Sequence, residues 1–101
     1  VFEAIHIYFP DPWPKDKHRR HRLIDEHFPE LARRILAPNG SVHLRTDDPD
    51  YFVQMQESFA PAKGFSSTET PKDLVALTTE FERQWNEEGK PTLRASYRLG
   101  E

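Results

Sequence analysis

The sequence contains no cysteine, so it can form no disulfide framework and offers no thiolate for catalysis or metal binding. This fits a reducing compartment, and we expect a cytoplasmic location. Long hydrophobic runs are also missing: the mean hydropathy is −0.83 and 31% of the residues are charged, which predicts no membrane span. Aromatic residues make up 12% of the chain, which is too many for a disordered protein. The composition therefore predicts a soluble, folded chain.

Glycine is scarce, and its few occurrences are scattered: Gly40, Gly64, Gly89 and Gly100. The sequence therefore holds no glycine-rich loop that would let the backbone approach a nucleotide cofactor closely. The chain also opens on an apolar strand pattern at Val1 and Phe2, without an initiator methionine. A length of 101 residues allows one domain at most. We therefore expect residues 1–101 to be a single partial domain of a longer protein.

Hydrophobic periodicity predicts alternating strands and helices. Strands are expected at residues 5–9, 42–45, 65–70 and 92–99, helices at 23–36, 48–59 and 79–88, and a loop at 71–75. Pro29 leaves two possibilities for the first helix, which either begins near this proline or follows a separate turn at 23–28. The order strand, helix, strand predicts a βαβ unit with parallel strands, and thus an α/β fold.

The most informative segment runs from Phe9 to Arg22. In Phe9-Pro10-Asp11-Pro12-Trp13-Pro14-Lys15 two prolines flank Asp11, so its carboxylate is expected on a stiff loop at a strand end. The residues that follow hold the densest positive charge of a chain whose formal net charge is −3. Local charge of this kind indicates contact with nucleic-acid phosphates, although a solvated surface is the alternative. The residues assigned to RNA binding are Lys17, His18, Arg19, Arg20, His21 and Arg22.

Three motifs occur in a fixed order: Phe9–Lys15 with the His/Arg cluster, then Arg45-Thr46-Asp47, then Thr79-Glu80-Phe81-Glu82 ahead of a glycine. In these motifs the chain resembles the C-terminal half of the bacterial tRNA (guanine-N7-)-methyltransferases. The resemblance implies a Rossmann-like fold with a mostly parallel sheet and an antiparallel last strand. It also implies S-adenosylmethionine-dependent methylation of guanine N7 in the variable loop of tRNA. The cofactor's glycine loop is then expected upstream, and this chain alone is expected to be inactive.

The resemblance also assigns roles to single residues. Asp11 is implied as the catalytic residue, which also contacts S-adenosylmethionine. Lys15 and Asp47 are implied as contacts of the tRNA substrate. The residues implied to bind the substrate guanosine are Thr79, Glu80, Phe81 and Glu82, although this stretch by itself is typical of a helix capping box.

The chemistry implied in this way suits carboxylates at the edge of a sheet. Ligands of open α/β sheets bind beyond the carboxyl ends of the strands, where Asp11 and Asp47 are expected to converge. For Asp48, helix capping is an equally good explanation. Guanine N7 has a lone pair and no proton, so the enzyme needs no general base and has to align the reactants and stabilise the cation that forms. Trp13 either stacks on a base or fills the gap between loop and sheet.

Two other functions match parts of this pattern. A non-catalytic RNA-binding module would use the same basic segment. A metal-dependent nuclease also gathers acids and lysine on a sheet, and Pro10-Asp11 begins such a motif, but the Glu-x-Lys that should follow occurs only as Glu88-Gly89-Lys90. His27 and His43 have no partners at metal-ligand spacing, so no metal is expected. Phe81 and Trp85, four residues apart, are expected in the core.

Overall fold

The computed structural model describes residues 1–100, without the side chain of Phe81. Within these residues the chain forms a mixed series of strands and helices. In chain order they are β1 (Phe2–Tyr8), a 3-10 helix (Asp16–His21), α1 (Phe28–Ile35), β2 (Leu36–Thr46), α2 (Pro49–Phe59), β3 (Phe65–Thr68), α3 (Lys72–Ala76), α4 (Glu80–Glu87) and β4 (Leu93–Leu99).

The strands form one mixed sheet in the order β1-β2-β4-β3. β1 and β2 pair in parallel, whereas β4 is antiparallel to both of its neighbours, β2 and β3. β1, β2 and β3 therefore point in one direction, and the last strand runs against them. This confirms the predicted α/β fold with an antiparallel last strand. Helix α1 connects β1 to β2 and completes the predicted βαβ unit.

One face of the sheet is apolar and packs against α1 and α2. Side chains alternate between the two faces of a strand, so Val42 and Leu44 of β2 share this face with Tyr97 and Leu99 of β4. The ring of Phe59 stacks on that of Tyr97 at a centroid distance of 4.2 Å. The buried apolar residues of this layer are Ile24, Phe28, Ala32, Leu36, Val42, Leu44, Tyr51, Met55, Phe59, Tyr97 and Leu99.

The opposite face of the sheet carries polar side chains. The strand register places His43 between His6 and Ser96. The imidazoles of His6 and His43 stack with centroids 5.0 Å apart, and Nδ1 of His43 lies 2.8 Å from the Ser96 hydroxyl oxygen. Burial lowers the pKa of His43, and the charges of His6 and Arg45 lower it further, whereas Asp73 raises it. The His43 ring is therefore neutral at neutral pH.

Two short elements were not predicted. Residues 71–75 were expected to be a loop, but Lys72–Ala76 form α3, which corrects that prediction. The 3-10 helix Asp16–His21 also lacks a sequence signal, because none of its residues is buried. Helices of five or six residues are too short for an apolar periodicity to show. The first of the two possibilities for α1 is confirmed, since the helix begins at Phe28 with Pro29 in its first turn.

The start of β2 also differs from the prediction. Residues 37–41 lie between the predicted helix at 23–36 and the predicted strand at 42–45, yet they belong to β2, which begins at Leu36 and is irregular there. Gly40 is needed at this irregularity, because a Cβ at that position would lie 2.9 Å from the Ala37 carbonyl oxygen and 3.1 Å from that of Glu3. The bend of β2 at Ala37 and the close approach of β1 at Glu3 together explain the glycine.

Candidate functional site

The loop that carries Asp11 leaves the carboxyl end of β1 in a strained conformation. Its first residue is tied to β2, because the Phe9 N–H donates to the Arg45 carbonyl oxygen at 2.8 Å. Phe9 and Trp13 both have positive φ, 56° and 41°, which is costly for residues with a Cβ. The Trp13 N–H donates to Oδ1 of Asp11 at 3.1 Å, and this bond stabilises the turn. Strain of this kind occurs most often at functional sites.

The Asp11 carboxylate remains accessible in this turn. Its side chain is exposed, and the bond to Trp13 is the one hydrogen bond that it makes within residues 1–100. A carboxylate has roughly four lone-pair positions for hydrogen bonds. Asp11 can therefore accept further hydrogen bonds from a ligand at this end of the sheet.

Trp13 packs on the 3-10 helix that follows the loop. Its half-buried ring lies 5.7 Å from the ring of His18 and 5.1 Å from that of His21, centroid to centroid. These imidazoles are its ring contacts in the described part of the chain, so the ring packs against the 3-10 helix that follows its own loop. Stacking on a nucleic-acid base stays a prediction.

The 3-10 helix presents most of the predicted basic residues to solvent. Arg19 forms ion pairs with Asp16 at 3.1 Å and with Asp50 at 3.3 Å, and its side chain remains 43% exposed. His18 is half-buried, and its neighbours along the helix are exposed. The exposed basic residues of this surface are Lys15, Lys17, Arg19, Arg20 and His21.

Arg22 does not belong to that exposed surface, so its predicted contact with phosphate stays a prediction that its burial does not favour. The residue is 3% exposed, and all three guanidinium nitrogens donate inside the protein. Nε donates to the Pro12 carbonyl oxygen at 2.5 Å, Nη1 to Gln54 at 2.8 Å and Nη2 to Asp50 at 2.9 Å. The guanidinium carbon lies 4.9 Å from the centroid of the Tyr51 ring. Three of its five N–H groups are therefore engaged inside the protein, and the guanidinium is buried with them.

Asp47 and Asp48 follow the carboxyl end of β2 and have different roles. Oδ1 of Asp48 accepts a hydrogen bond from the Tyr51 N–H at 2.9 Å, which makes Asp48 the N-cap of α2. Its predicted capping role is confirmed. Asp47 is half-buried and makes no hydrogen bond within residues 1–100. Because β1 and β2 are parallel neighbours with Tyr8 beside Arg45, Asp11 and Asp47 lie past the same edge of the sheet.

A buried ion-pair cluster lies at this edge. Glu82 of α4 is fully buried. Its Oε1 accepts from Nη1 of Arg45 at 2.7 Å, and its Oε2 accepts from Nη2 of Arg94 at 3.2 Å and from the Thr92 hydroxyl at 2.8 Å. Two guanidinium groups therefore share one carboxylate. The Nε atoms of Arg45 and Arg94 have no hydrogen-bond partner in the described residues.

Arg45 uses its other contacts to hold the segment between β3 and β4. Its guanidinium donates to the carbonyl oxygen of Leu77 at 2.7 Å and to that of Leu74, and it lies over the Tyr8 ring at 4.1 Å. α3 and the start of α4 are thus fastened to the end of β2. The aromatic ring of Trp85 meets that of Phe9 edge-on at 5.6 Å, so α4 also contacts the first residue of the Asp11 loop.

The residues predicted to bind guanosine, 79–82, differ in exposure: the first two face solvent and the last is buried. Thr79 is the N-cap of α4, since its hydroxyl oxygen accepts from the Glu82 N–H at 3.0 Å. The Glu82 carboxylate pairs with two arginines and does not complete a capping box, and its predicted contact with the substrate stays a prediction. Thr79 and Glu80 are exposed and remain candidates. The Phe81 side chain lies outside the described residues, and Trp85 is half-buried outside the main core.

The other predicted features carry no site of their own. In the described chain, residues 1–100, no three acidic, histidine or cysteine side chains are grouped so that they could hold a metal ion. Glu88 and Lys90, the second part of the nuclease pattern, lie exposed after the end of α4. None of the helices in the same residues has the length and apolar character needed to cross a membrane.

Comparison with known proteins agrees with the motifs. The family described as "Putative methyltransferase" matches residues 1–95. The tRNA (guanine-N(7)-)-methyltransferase of Halorhodospira halophila is 35% identical over 102 residues, covering 96% of this chain and 44% of that protein. The protein of the same name from Alkaliphilus oremlandii is 34% identical over 103 residues, covering 96% and 48%. That of Bordetella pertussis is 51% identical over 54 residues, covering 54% and 21%.

The chain spans less than half the length of these relatives. The family match, in contrast, extends over nearly all of the chain, from β1 into β4. It includes the Asp11 loop, the end of β2 and the start of α4. The chain therefore belongs to this methyltransferase family, as the resemblance of its motifs predicted.

Proposed function

We propose that the full-length protein that contains this chain is an S-adenosylmethionine-dependent tRNA (guanine-N7-)-methyltransferase, which acts on the variable loop of tRNA in the cytoplasm. The chain is then one partial domain that supplies the catalytic carboxylate and the RNA-binding surface. The observation that carries the proposal is the accessible Asp11 carboxylate on a strained loop, directly followed by the exposed basic 3-10 helix. The names of the relatives support the same activity.

The Asp11 carboxylate, which follows the carboxyl end of β1, is suited to contact S-adenosylmethionine. The accessible oxygens of Asp11 can accept hydrogen bonds from a hydroxyl or ammonium group of the cofactor. The chain itself has no glycine-rich loop for close backbone approach. Most cofactor contacts are therefore expected from residues outside this chain, and Asp11 is the contact that this chain provides. When bound, the cofactor supplies the electrophilic methyl group.

The task of Asp11 is electrostatic. Guanine N7 attacks the methyl carbon with its own lone pair, and the carbon–sulfur bond of the donor breaks with its electron pair left on sulfur. The positive charge thus passes from the donor to the purine. The Asp11 carboxylate can accept hydrogen bonds from the N1 and N2 donors of guanine, which orients the base. Its negative charge favours the cationic purine over the neutral one, so it stabilises the transition state more than the ground state.

The remaining residues bind and orient the tRNA. Lys15 and Asp47 are proposed to contact the substrate, and Thr79 and Glu80 to bind the guanosine at the start of α4. Glu82 holds that helix start in place through Arg45. The proposed phosphate contacts come from the loop and the 3-10 helix: Lys17, His18, Arg19, Arg20 and His21.

The test is methylation of tRNA by the full-length protein with labelled S-adenosylmethionine, followed by mapping of the methyl group. Methyl transfer to guanine N7 is the expected result. Binding of tRNA without turnover would instead favour a non-catalytic RNA-binding module. The gene region upstream of Val1 offers a second check, since it should encode a strand, a glycine-rich loop and an acidic residue about 20 positions further on.

The chain on its own provides a complementary measurement. Because it has no glycine-rich loop, we expect the 101-residue chain neither to bind S-adenosylmethionine tightly nor to methylate tRNA. Calorimetric titration measures the first property directly. A dissociation constant of about 1 μM, equivalent to about −8 kcal/mol, would show that the cofactor site is complete within this chain.

A further inference from the structure

We infer that Arg22 is a positioning residue for the proposed reaction, which fixes the Asp11 loop against the first turns of α2. This rests on the proposed function, since the loop carries the proposed catalytic carboxylate. Arg22 itself is almost completely buried behind the loop, so it acts through the loop backbone. The burial of Arg22 differs from the sequence-based interpretation of the basic cluster, in which all of its arginines contact RNA.

The contacts of Arg22 join three separate parts of the chain. Nε holds the carbonyl oxygen of Pro12, the residue next to Asp11. Nη1 and Nη2 reach Gln54 and Asp50 on α2, which are more than 25 positions away in sequence. One rigid guanidinium plane therefore sets the distance between the Asp11 loop and α2. Helix α2 in turn begins directly after Asp47 and Asp48, so the same contacts relate the loops at the ends of β1 and β2.

The surroundings restrict the guanidinium to this one orientation. The Tyr51 ring lies against it, and the Tyr51 hydroxyl oxygen accepts the Ile24 N–H at 2.9 Å, which fixes the ring. Gln54 is fixed as well, because its amide nitrogen donates to the Ile24 carbonyl oxygen at 2.9 Å. A lysine ammonium is a point charge and has no planar fork, so it cannot make the same three directed contacts.

The loop needs such an anchor because its backbone is strained. Positive φ at Phe9 and Trp13 costs free energy, and such conformations persist only where the surroundings impose them. The bond between Asp11 and the Trp13 N–H lies on the exposed side of the loop, and the bond from Arg22 to Pro12 lies on its buried side. Loss of the buried bond should let the loop relax and move the Asp11 carboxylate.

The test is Arg22→Lys in the full-length protein, compared with Arg34→Lys as matched control. Arg34 is 70% exposed on α1, and its nearest carboxylate contact is Glu30 at 3.7 Å. Single-turnover methylation with saturating tRNA and cofactor should slow about 10- to 100-fold in Arg22→Lys, since small misplacement of a catalytic group has effects of this size. Affinity for tRNA and its dependence on salt should stay unchanged, and Arg34→Lys should behave like the parent.

A second measurement does not depend on methyl transfer. In a Trp85→Phe background, Trp13 is the one tryptophan of this chain, and its quenching by acrylamide reports the order of the loop. Any tryptophan encoded outside the chain is replaced as well. We expect Arg22→Lys to increase the quenching constant at least about twofold through local opening, at a temperature where circular dichroism shows a folded protein.

The outcomes separate the possibilities. A lower thermal midpoint with unchanged quenching and an unchanged single-turnover rate would make Arg22 a merely structural residue and overturn the inference. If Arg22→Lys lowered the slope of log tRNA affinity against log salt and left the single-turnover rate unchanged, Arg22 would contact phosphate, and the inference would be overturned. If Arg22→Lys does not fold, Asp50→Asn replaces it, because Asp50 is the half-exposed ion-pair partner of Arg22. This variant should also increase the acrylamide quenching constant of Trp13. If the parent does not methylate tRNA while the quenching changes as expected, the proposed function fails and the anchoring role of Arg22 stands.

Discussion

At the scale of single residues, charge alone does not reveal position. Arg19 and Arg22 lie three positions apart in one basic cluster, yet the first is exposed and the second is buried with every guanidinium nitrogen paired. Glu80 and Glu82 differ in the same way. Burial of a charged side chain depends on partners that are distant in sequence, so the sequence pattern could not distinguish these residues.

The first residue-scale prediction concerns Asp11. Asp11→Asn preserves the shape and the bond to the Trp13 N–H but removes the charge. In the full-length protein we expect kcat to fall on the order of 10²-fold or more, as for loss of one preorganised electrostatic group, with tRNA affinity changed far less. Asp48→Asn is the control, because Asn caps a helix about as well as Asp. If Asp11→Asn had the same single-turnover rate as the parent protein, Asp11 would have no role in the chemical step.

The second prediction concerns the fully buried Glu82. Glu82→Gln leaves Arg45 and Arg94 without their shared carboxylate, and an uncompensated buried charge typically costs about 3–5 kcal/mol. We expect the free energy of unfolding in urea to fall by about this amount. Glu87→Gln, an exposed change on the same helix, should alter it by less than about 0.5 kcal/mol. Equal, small effects of the two substitutions would contradict the role of Glu82 as the centre of the cluster.

At the scale of elements, the 3-10 helix acts as a single basic surface. Replacing Lys17, Arg19 and Arg20 together with Gln in the full-length protein should weaken tRNA binding. Each lost phosphate contact should also lower the slope of log affinity against log salt by about 0.7–0.9. Binding measured at several salt concentrations provides both values. Arg22 is left out of this set because its guanidinium is internal.

The control for this surface is the pair Arg33→Gln and Arg34→Gln on α1, which removes exposed arginines next to Glu30. It should leave the salt slope as in the parent. If the 3-10 helix variant and the control had the same slope as the parent, the basic helix would be a solvated surface without RNA contact.

At the scale of the whole molecule, His43 links folding to pH. Burial and the charges of His6 and Arg45 lower its pKa in the folded state, against the opposing charge of Asp73, whereas the unfolded value is about 6.5. Between these two values the unfolded state binds more protons, so stability falls as the pH falls below about 6.5. We expect a lower midpoint of urea unfolding at pH 5.5 than at pH 7.5.

The His43→Gln variant should lose most of that pH dependence, because the titrating ring is gone. His27→Gln, at an exposed position, should retain it. A parent protein with the same unfolding midpoint at both pH values would contradict a neutral, buried His43. The Glu30 carboxyl, whose pKa is lowered chiefly by its hydrogen bond to Arg33, titrates well below this range.

The sequence by itself determined the class of fold, the starts of α2 and α4, and the family. Local patterns carry these features: alternation in β1 and β4, Asp48-Pro49 and Thr79 as helix starts, and the proline-flanked Asp11. Only the tertiary structure decided which charges are internal. It brought Arg22 to Pro12 and Asp50, and it joined Arg45, Glu82 and Arg94. The reason is physical, since the free energy of a buried charge depends on partners that become neighbours only when the chain is folded.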